Sequence, residues 1–246
     1  MSNIYEALQQ ANNDKRPEIF PGSDVKPPLP GSAPGFANQS DYKTIGTDAE
    51  MYNLHQNIDY LLPEPARKII QFIAAGEREG VSTIVRRFAQ TAITNFGKKV
   101  LIIDAAHHNP TQHLFFKVDC SAARYGQKQT VCFPVADKSL FLSPLSAQHA
   151  LIPRVHDREE TLGVFAQLRE QFDMVLIDSS PGTTSPTSIA LSRYADGVVM
   201  VVEADKTSRL VAESLKEKIS RNGGNLMGII LNRRRFHIPE FIYKRL

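Results

Sequence analysis

Residues 76–83 read Gly-Glu-Arg-Glu-Gly-Val-Ser-Thr. An apolar run of strand length, 69–75, precedes them, and a helical pattern from Ile84 to Phe96 follows. Strand, glycine-containing loop and helix opening on Ser-Thr is the order that cradles phosphate on backbone N–H groups and places a hydroxyl on Mg²⁺. Gly76, Glu79, Gly80, Ser82 and Thr83 keep that chemistry available. A loop that transfers phosphoryl groups also carries a lysine directly before the Ser/Thr, reaching the β- and γ-phosphates. Here that position is Val81. Removing a charge from a site that works by electrostatic stabilisation costs on the order of 10²–10³ in rate. Arg78 and Arg86 are the nearby guanidinium groups that could stand in. A long arginine in a tight loop more often faces solvent.

Two further segments could complete such a site. Residues 100–110 read VLIIDAAHHNP, so Asp104 closes a buried strand. A buried carboxylate needs a partner, a metal-bound water or solvent. Asp104 is therefore either a carboxylate serving Mg²⁺ and water, or a cap of the next loop. His107 and His108 are adjacent and point apart, and with no third ligand in view they make no metal site. Residues 172–182 read FDMVLIDSSPG. An apolar strand closed by Asp178 is the Walker B pattern, whose carboxylate holds Mg²⁺ directly or through water. Ser82, Asp104 and Asp178 are the expected Mg²⁺ set.

The elements that must position these residues are legible as alternating apolar runs and helical patterns. Strands are expected at 69–75, 100–104, 140–144, 174–178, 198–202 and 227–231, and helices at 48–61, 82–96, 159–171 and 206–221. Met51, Leu54, Ile58 and Leu61 form the apolar side of the first helix. Gly97 is the stop signal of the second. Alternation of this kind implies a doubly wound, mostly parallel α/β sheet covered on both faces. Asp104 and Asp178 then lie together at its carboxyl edge, where open α/β sheets bind ligands.

The chain has 246 residues, enough for one sizeable domain and an arm. A net charge of +3 gives no reason to expect nucleic acid as a partner. No apolar run approaches the ~18 residues of a membrane span. The N-terminus lacks a basic region followed by an apolar core, so no secretory leader is expected. Cys120 and Cys132, the only cysteines, lack zinc spacing and read as reduced cytosolic thiols. Residues 1–13 read as a docking helix, with Ile4, Leu8 and Ala11 on one face, or as a helix packing back on its own domain. Residues 14–46 carry Pro17, Pro21, Pro27, Pro28, Pro30 and Pro34 and read as a linker. Residues 47–246 form the folded domain. In its last segment Arg233, Arg234, Arg235, Lys244 and Arg245 flank Phe236, Ile238, Phe241 and Ile242. That mixture suits an anionic membrane surface or a partner groove, or a terminal helix with a solvated basic rim.

In this order and spacing the segments resemble the MinD/ParA-like P-loop ATPases, and within them the tyrosine autokinases (BY-kinases) of bacterial capsule and exopolysaccharide assembly. MSNIYEALQQA resembles the start of many of these kinases. GEREGVST stands where they have a PGEGKST-type loop, and VLIIDAAHHNP where they have VLLIDADLRRP. DMVLIDSSPG, VVEADKTS and GIILNRR resemble their Walker B segment and last strands. The resemblance implies a P-loop NTPase fold and Asn232 beside an adenine. It implies ATP or ADP with Mg²⁺ as ligands, although the loop leaves open that no nucleotide binds. It also implies homo-oligomers and a cytoplasmic protein peripheral to the inner membrane. The implied partner is the cytoplasmic part of an inner-membrane polysaccharide chain-length regulator.

The departures point to a member without catalysis. Val81 replaces the lysine, Arg78 a glycine, Ala106 the second acidic residue and His108 an arginine. Asn53 and Gln56 stand where the oligomerisation helix carries arginines. Tyr243 is the lone tyrosine of a tail that is tyrosine-rich in active kinases, and so the one candidate phosphosite. The expectation is a non-catalytic or weakly active kinase-like regulator of polysaccharide synthesis and export. One alternative is an ATP-binding tyrosine autokinase or ATPase of the same pathway. Another is a ParA/MinD-like positioning ATPase, although Gly76 occupies the place of that group's signature lysine.

Overall fold

The computed structural model describes residues 48–64, 66–106, 111–118, 132–136, 139–144 and 158–234. Helix α1 spans Asp48–Leu61, and strand β1 spans Lys68–Ala74. Helix α2 covers Val81–Phe96, β2 Val100–Ala105 and the short α3 Gln112–Phe115. Strands β3 and β4 cover Phe133–Ala136 and Leu140–Pro144, and α4 covers Arg158–Gln171. Strand β5 is Met174–Ser179, α5 Pro186–Leu191, β6 Gly197–Glu203, α6 Arg209–Arg221 and β7 Leu226–Asn232. The seven strands form one sheet in the order β3-β4-β2-β5-β1-β6-β7. Every pair is parallel except β3 with β4.

Strands β1, β2 and β5 are buried along their whole length, as central strands covered on both faces must be. Their side chains alternate between two cores. Ile70, Phe72, Ile102 and Leu176 pack with Ile58 of α1 and with Ile84, Val85 and Phe88 of α2. Ile69, Leu101, Ile103 and Ile177 pack instead with Phe165 and Leu168 of α4. Further along the same face, Ile73, Val198 and Met200 meet Leu215 and Ile219 of α6. The expected doubly wound sheet is present.

Several boundaries differ from the sequence reading for identifiable reasons. In α1 the inward residues are Met51, His55, Ile58 and Leu62, while Leu61 is half exposed. His55 stacks on Phe96 with ring centroids 3.9 Å apart, so an aromatic polar residue fills a core position assigned to an aliphatic one. Helix α6 opens at Arg209 rather than Lys206, because the Thr207 hydroxyl is used in a turn that accepts the Glu203 N–H at 3.1 Å. Helix α2 stops where expected. Gly97 takes φ 61°, and its N–H and that of Lys98 close on Ile93 and Ala92 carbonyls at 3.0 Å. The antiparallel β3 and the short helices α3 and α5 had no counterpart in the sequence pattern. Residues 1–47, with the expected docking helix and linker, lie outside the described residues. So do Cys120, His107, His108 and the segment 235–246 that carries Tyr243.

Candidate functional site

The β1 strand ends at the centre of the sheet and delivers the loop 76–80 to its carboxyl edge. The loop turns through Arg78 at φ 60° and Gly80 at φ 96°, and Gly80 caps α2. Two devices fasten it. The Glu79 carboxylate is almost fully buried, accepting the Ala75 N–H at 3.0 Å and the Thr207 hydroxyl. The Asn232 side chain, at the end of β7, donates to the Glu79 carbonyl at 2.7 Å. A Cβ on Gly80 would lie 2.3 Å from Asn232 Nδ2, so this close approach and the positive φ both require glycine. Asn232, expected beside an adenine from the resemblance, braces the loop from beneath.

The first turn of α2 keeps its unpaired donors. Among the described residues, no hydrogen bond engages the N–H of Val81 or Ser82. Orphan donors at a helix N-terminus attract phosphate. The Val81 side chain does not face that opening. It is 7% exposed and belongs to the core beneath α2. Arg78 is exposed. Arg86 lies one turn into α2, with its guanidinium 4.1 Å from the Phe115 ring centroid and 3.3 Å from the Thr83 hydroxyl. Neither arginine stands where the lysine would.

Asp104 and Asp178 are paired residues of the adjacent strands β2 and β5, and both are buried. The sequence reading therefore placed them correctly. What it missed is Gln112, the first residue of α3, which is fully buried between them. Its backbone N–H donates to Asp104 Oδ2 at 2.9 Å. Its side-chain Nε2 donates to Asp178 Oδ2 at 2.7 Å and to the Ser82 carbonyl at 3.3 Å. Its Oε1 accepts from Arg86 at 3.4 Å. Ala106 N–H reaches the other Asp104 oxygen at 3.3 Å, and the Ser82 side chain hydrogen-bonds to Asp178. No periodicity marks Gln112, a polar residue two positions past a proline. Thr207 was equally unmarked.

Burial and then the neighbouring Asp104 charge push the Asp178 carboxyl up to about 7, against hydrogen bonds from Gln112 and Ser82 and the charge of Arg86. Burial also raises Asp104, opposed by backbone N–H groups of Gln112, Ala106 and Thr111. Ser82, Asp104 and Asp178 are hard oxygen donors of the type Mg²⁺ prefers. In this arrangement they do not fit it, because the Gln112 amide aims N–H donors at lone pairs a cation would need. Among the described residues no three His, Cys, Asp or Glu side chains converge as a metal site.

The chain is similar in sequence and in fold to known proteins. Tyrosine-protein kinase YwqD of Bacillus subtilis is 25% identical over 209 residues, covering 81% of this chain and 82% of YwqD. The putative tyrosine-protein kinase CapB of Staphylococcus aureus is 23% identical over 190 residues, covering 73% of this chain and 81% of CapB. The chain is similar to these bacterial tyrosine-protein kinases. No protein-family model matches the chain. Among solved structures, the chimerical protein CapA2B2 superposes with a TM-score of 0.65 at 22% identity, over 76% of this chain and 85% of its own. The kinase domain of Escherichia coli tyrosine kinase ETK gives 0.65 at 17% identity, over 78% and 79%. MinD of Aquifex aeolicus gives 0.51 at 24%, over 72% of each chain. These superpositions show that the chain has the P-loop NTPase fold, as MinD does.

Proposed function

We propose that this chain is a kinase-like regulator of capsule or exopolysaccharide assembly that does not transfer phosphate. The observation that carries the reading is Val81: the position that should send a cation to the phosphates instead buries an apolar side chain in the core. Arg78 and Arg86 do not replace it. The kinase relatives support the pathway. The unpaired N–H groups of Val81 and Ser82 favour retention of a nucleotide phosphate without its transfer.

In this reading the protein acts at the cytoplasmic face of the inner membrane. It binds the cytoplasmic part of a chain-length regulator through residues 1–13 and the basic-apolar segment 233–246, alone or as a homo-oligomer. Calorimetric titration with ATP and ADP, with and without Mg²⁺, tests the site. Absent or Mg²⁺-independent binding, with no phosphate incorporated at Tyr243, is the expected result. Mg²⁺-dependent micromolar binding with Tyr243 phosphorylation would establish the autokinase alternative instead. Partner capture that survives deletion of both terminal segments would rule out the docking assignment.

A further inference from the structure

We infer that Gln112 is a built-in occupant of the divalent-cation position, whose side-chain amide and backbone N–H take up the Asp178 and Asp104 oxygens a Mg²⁺ ion would otherwise bridge. The inference rests on the proposal that this site does not transfer phosphate, and it assigns a residue to keeping the metal out. Ser82, Asp104 and Asp178 come from the start of α2, the end of β2 and the end of β5. The Gln112 backbone N–H donates to Asp104 Oδ2 at 2.9 Å, and its side-chain amide donates to Asp178 Oδ2 at 2.7 Å and to the backbone carbonyl of Ser82 at 3.3 Å. Its side chain has no solvent exposure.

The orientation of the amide is determined by its surroundings. Carboxylate and carbonyl oxygens accept on the Nε2 side, and the Arg86 guanidinium donates on the Oε1 side. A flipped amide would set oxygen against Asp178 and N–H against a cation. Arg86 is held in turn by Thr83 and by the Phe115 ring of the same short helix. Mg²⁺ demands near-octahedral oxygen lone pairs at about 2.0–2.1 Å. The N–H donors of Gln112 use the Asp178 lone pair that faces the site, and the Arg86 charge supplies part of the field a dication would give. A phosphate bound at the α2 N-terminus would then be held by backbone donors without a metal.

The test uses the full chain and Mn²⁺ alone, without nucleotide, followed by electron paramagnetic resonance of the free ion. The wild type is expected to show no saturable binding up to about 1 mM, the weak end of biological divalent sites. Gln112→Ala, which removes the amide and leaves room, is expected to bind at least about tenfold tighter. That gain should vanish in Gln112→Ala combined with Asp178→Asn. Gln112→Leu fills the space without donors and is expected to stay Mn²⁺-free. Wild-type binding as tight as that of Gln112→Ala would overturn the inference. So would Mn²⁺ binding by Gln112→Leu, or a normally folded Gln112→Ala that binds none.

Should Gln112→Ala fail to fold, the wild-type side-chain amide resonance of Gln112 decides. Sharp lines in the presence of Mn²⁺ support occupancy, and paramagnetic broadening refutes it. Tyrosine phosphorylation by the wild type would sink the functional proposal, whereas failure of Gln112→Ala to take Mn²⁺ would remove the occupancy inference alone.

Discussion

Asp178→Asn should make the protein more stable relative to wild type as pH rises. Asp178 is 1% exposed, and its carboxyl is pushed from 3.8 up to about 7, chiefly by burial. Between those values the folded protein holds a proton that the unfolded chain releases. Stability from this group is therefore fully present below about pH 4 and is lost as pH rises through about 7. At 1.36 kcal/mol per unit, the loss between pH 5 and pH 8 is about 3 kcal/mol. Burial lowers His55, which contributes with the opposite sign below its ordinary 6.5. Asp104 slopes the same way as Asp178. Both remain in the variant; the His55 contribution cancels in the comparison, and because Asp104 and Asp178 are coupled the difference reports the carboxyl pair. An asparagine keeps an oxygen for the Gln112 Nε2. Urea denaturation of both proteins at pH 5, 6, 7 and 8 gives the two profiles. The variant's stability minus that of the wild type should grow by about 3 kcal/mol across the series. A difference that stays flat would refute the reasoning, since Asp178 would then ionise as an ordinary carboxylate and its surroundings would not be dry.

Val81→Lys puts a charged stem into the core under α2, and should lower stability by about 1–3 kcal/mol. It should also leave radiolabel transfer from ATP to tyrosine undetectable, because Gln112 still bridges the carboxylates; appreciable transfer would show that the lysine alone was missing. Gly80→Ala sets a methyl 2.3 Å from Asn232 Nδ2 on a backbone at φ 96°, and should cost about 1–3 kcal/mol in thermal or urea unfolding. An unchanged midpoint would mean that Asn232 does not lie beneath the loop. Asp196→Ala removes the Arg169 fork, at 2.6 and 2.7 Å, and the acceptor of the Ile69 N–H at 2.7 Å. A loss of about 2–4 kcal/mol is expected, and a loss below about 0.5 kcal/mol would show the pin to be solvated.

Cys132 illustrates how burial decides chemistry. Cys132 is buried, and its thiol is pushed up to about 12, so it acts as a packing residue rather than a nucleophile.

The apolar runs at 69–75, 100–104 and 174–178 determined by themselves that three central strands would carry a loop and two aspartates to one sheet edge. A strand buried on both faces is mostly apolar, and a polar residue within it needs a partner, as Gln71 finds in Ser179 and the Ser188 carbonyl. Glycine at 97 likewise announced the stop of α2, because a positive φ selects for it. The sequence also showed that Val81 had displaced a lysine. Only the tertiary structure decided where that valine points, since one residue at a helix start can face either the ligand or the core. It alone revealed Gln112, Thr207 and Asn232 as partners of the loop and carboxylates. Their side-chain contacts to the Asp178 carboxylate and to Glu79 join residues 66 to 153 positions apart. Long-range polar pairing has no period in a sequence, because it depends on which side chains the sheet order brings to the same edge.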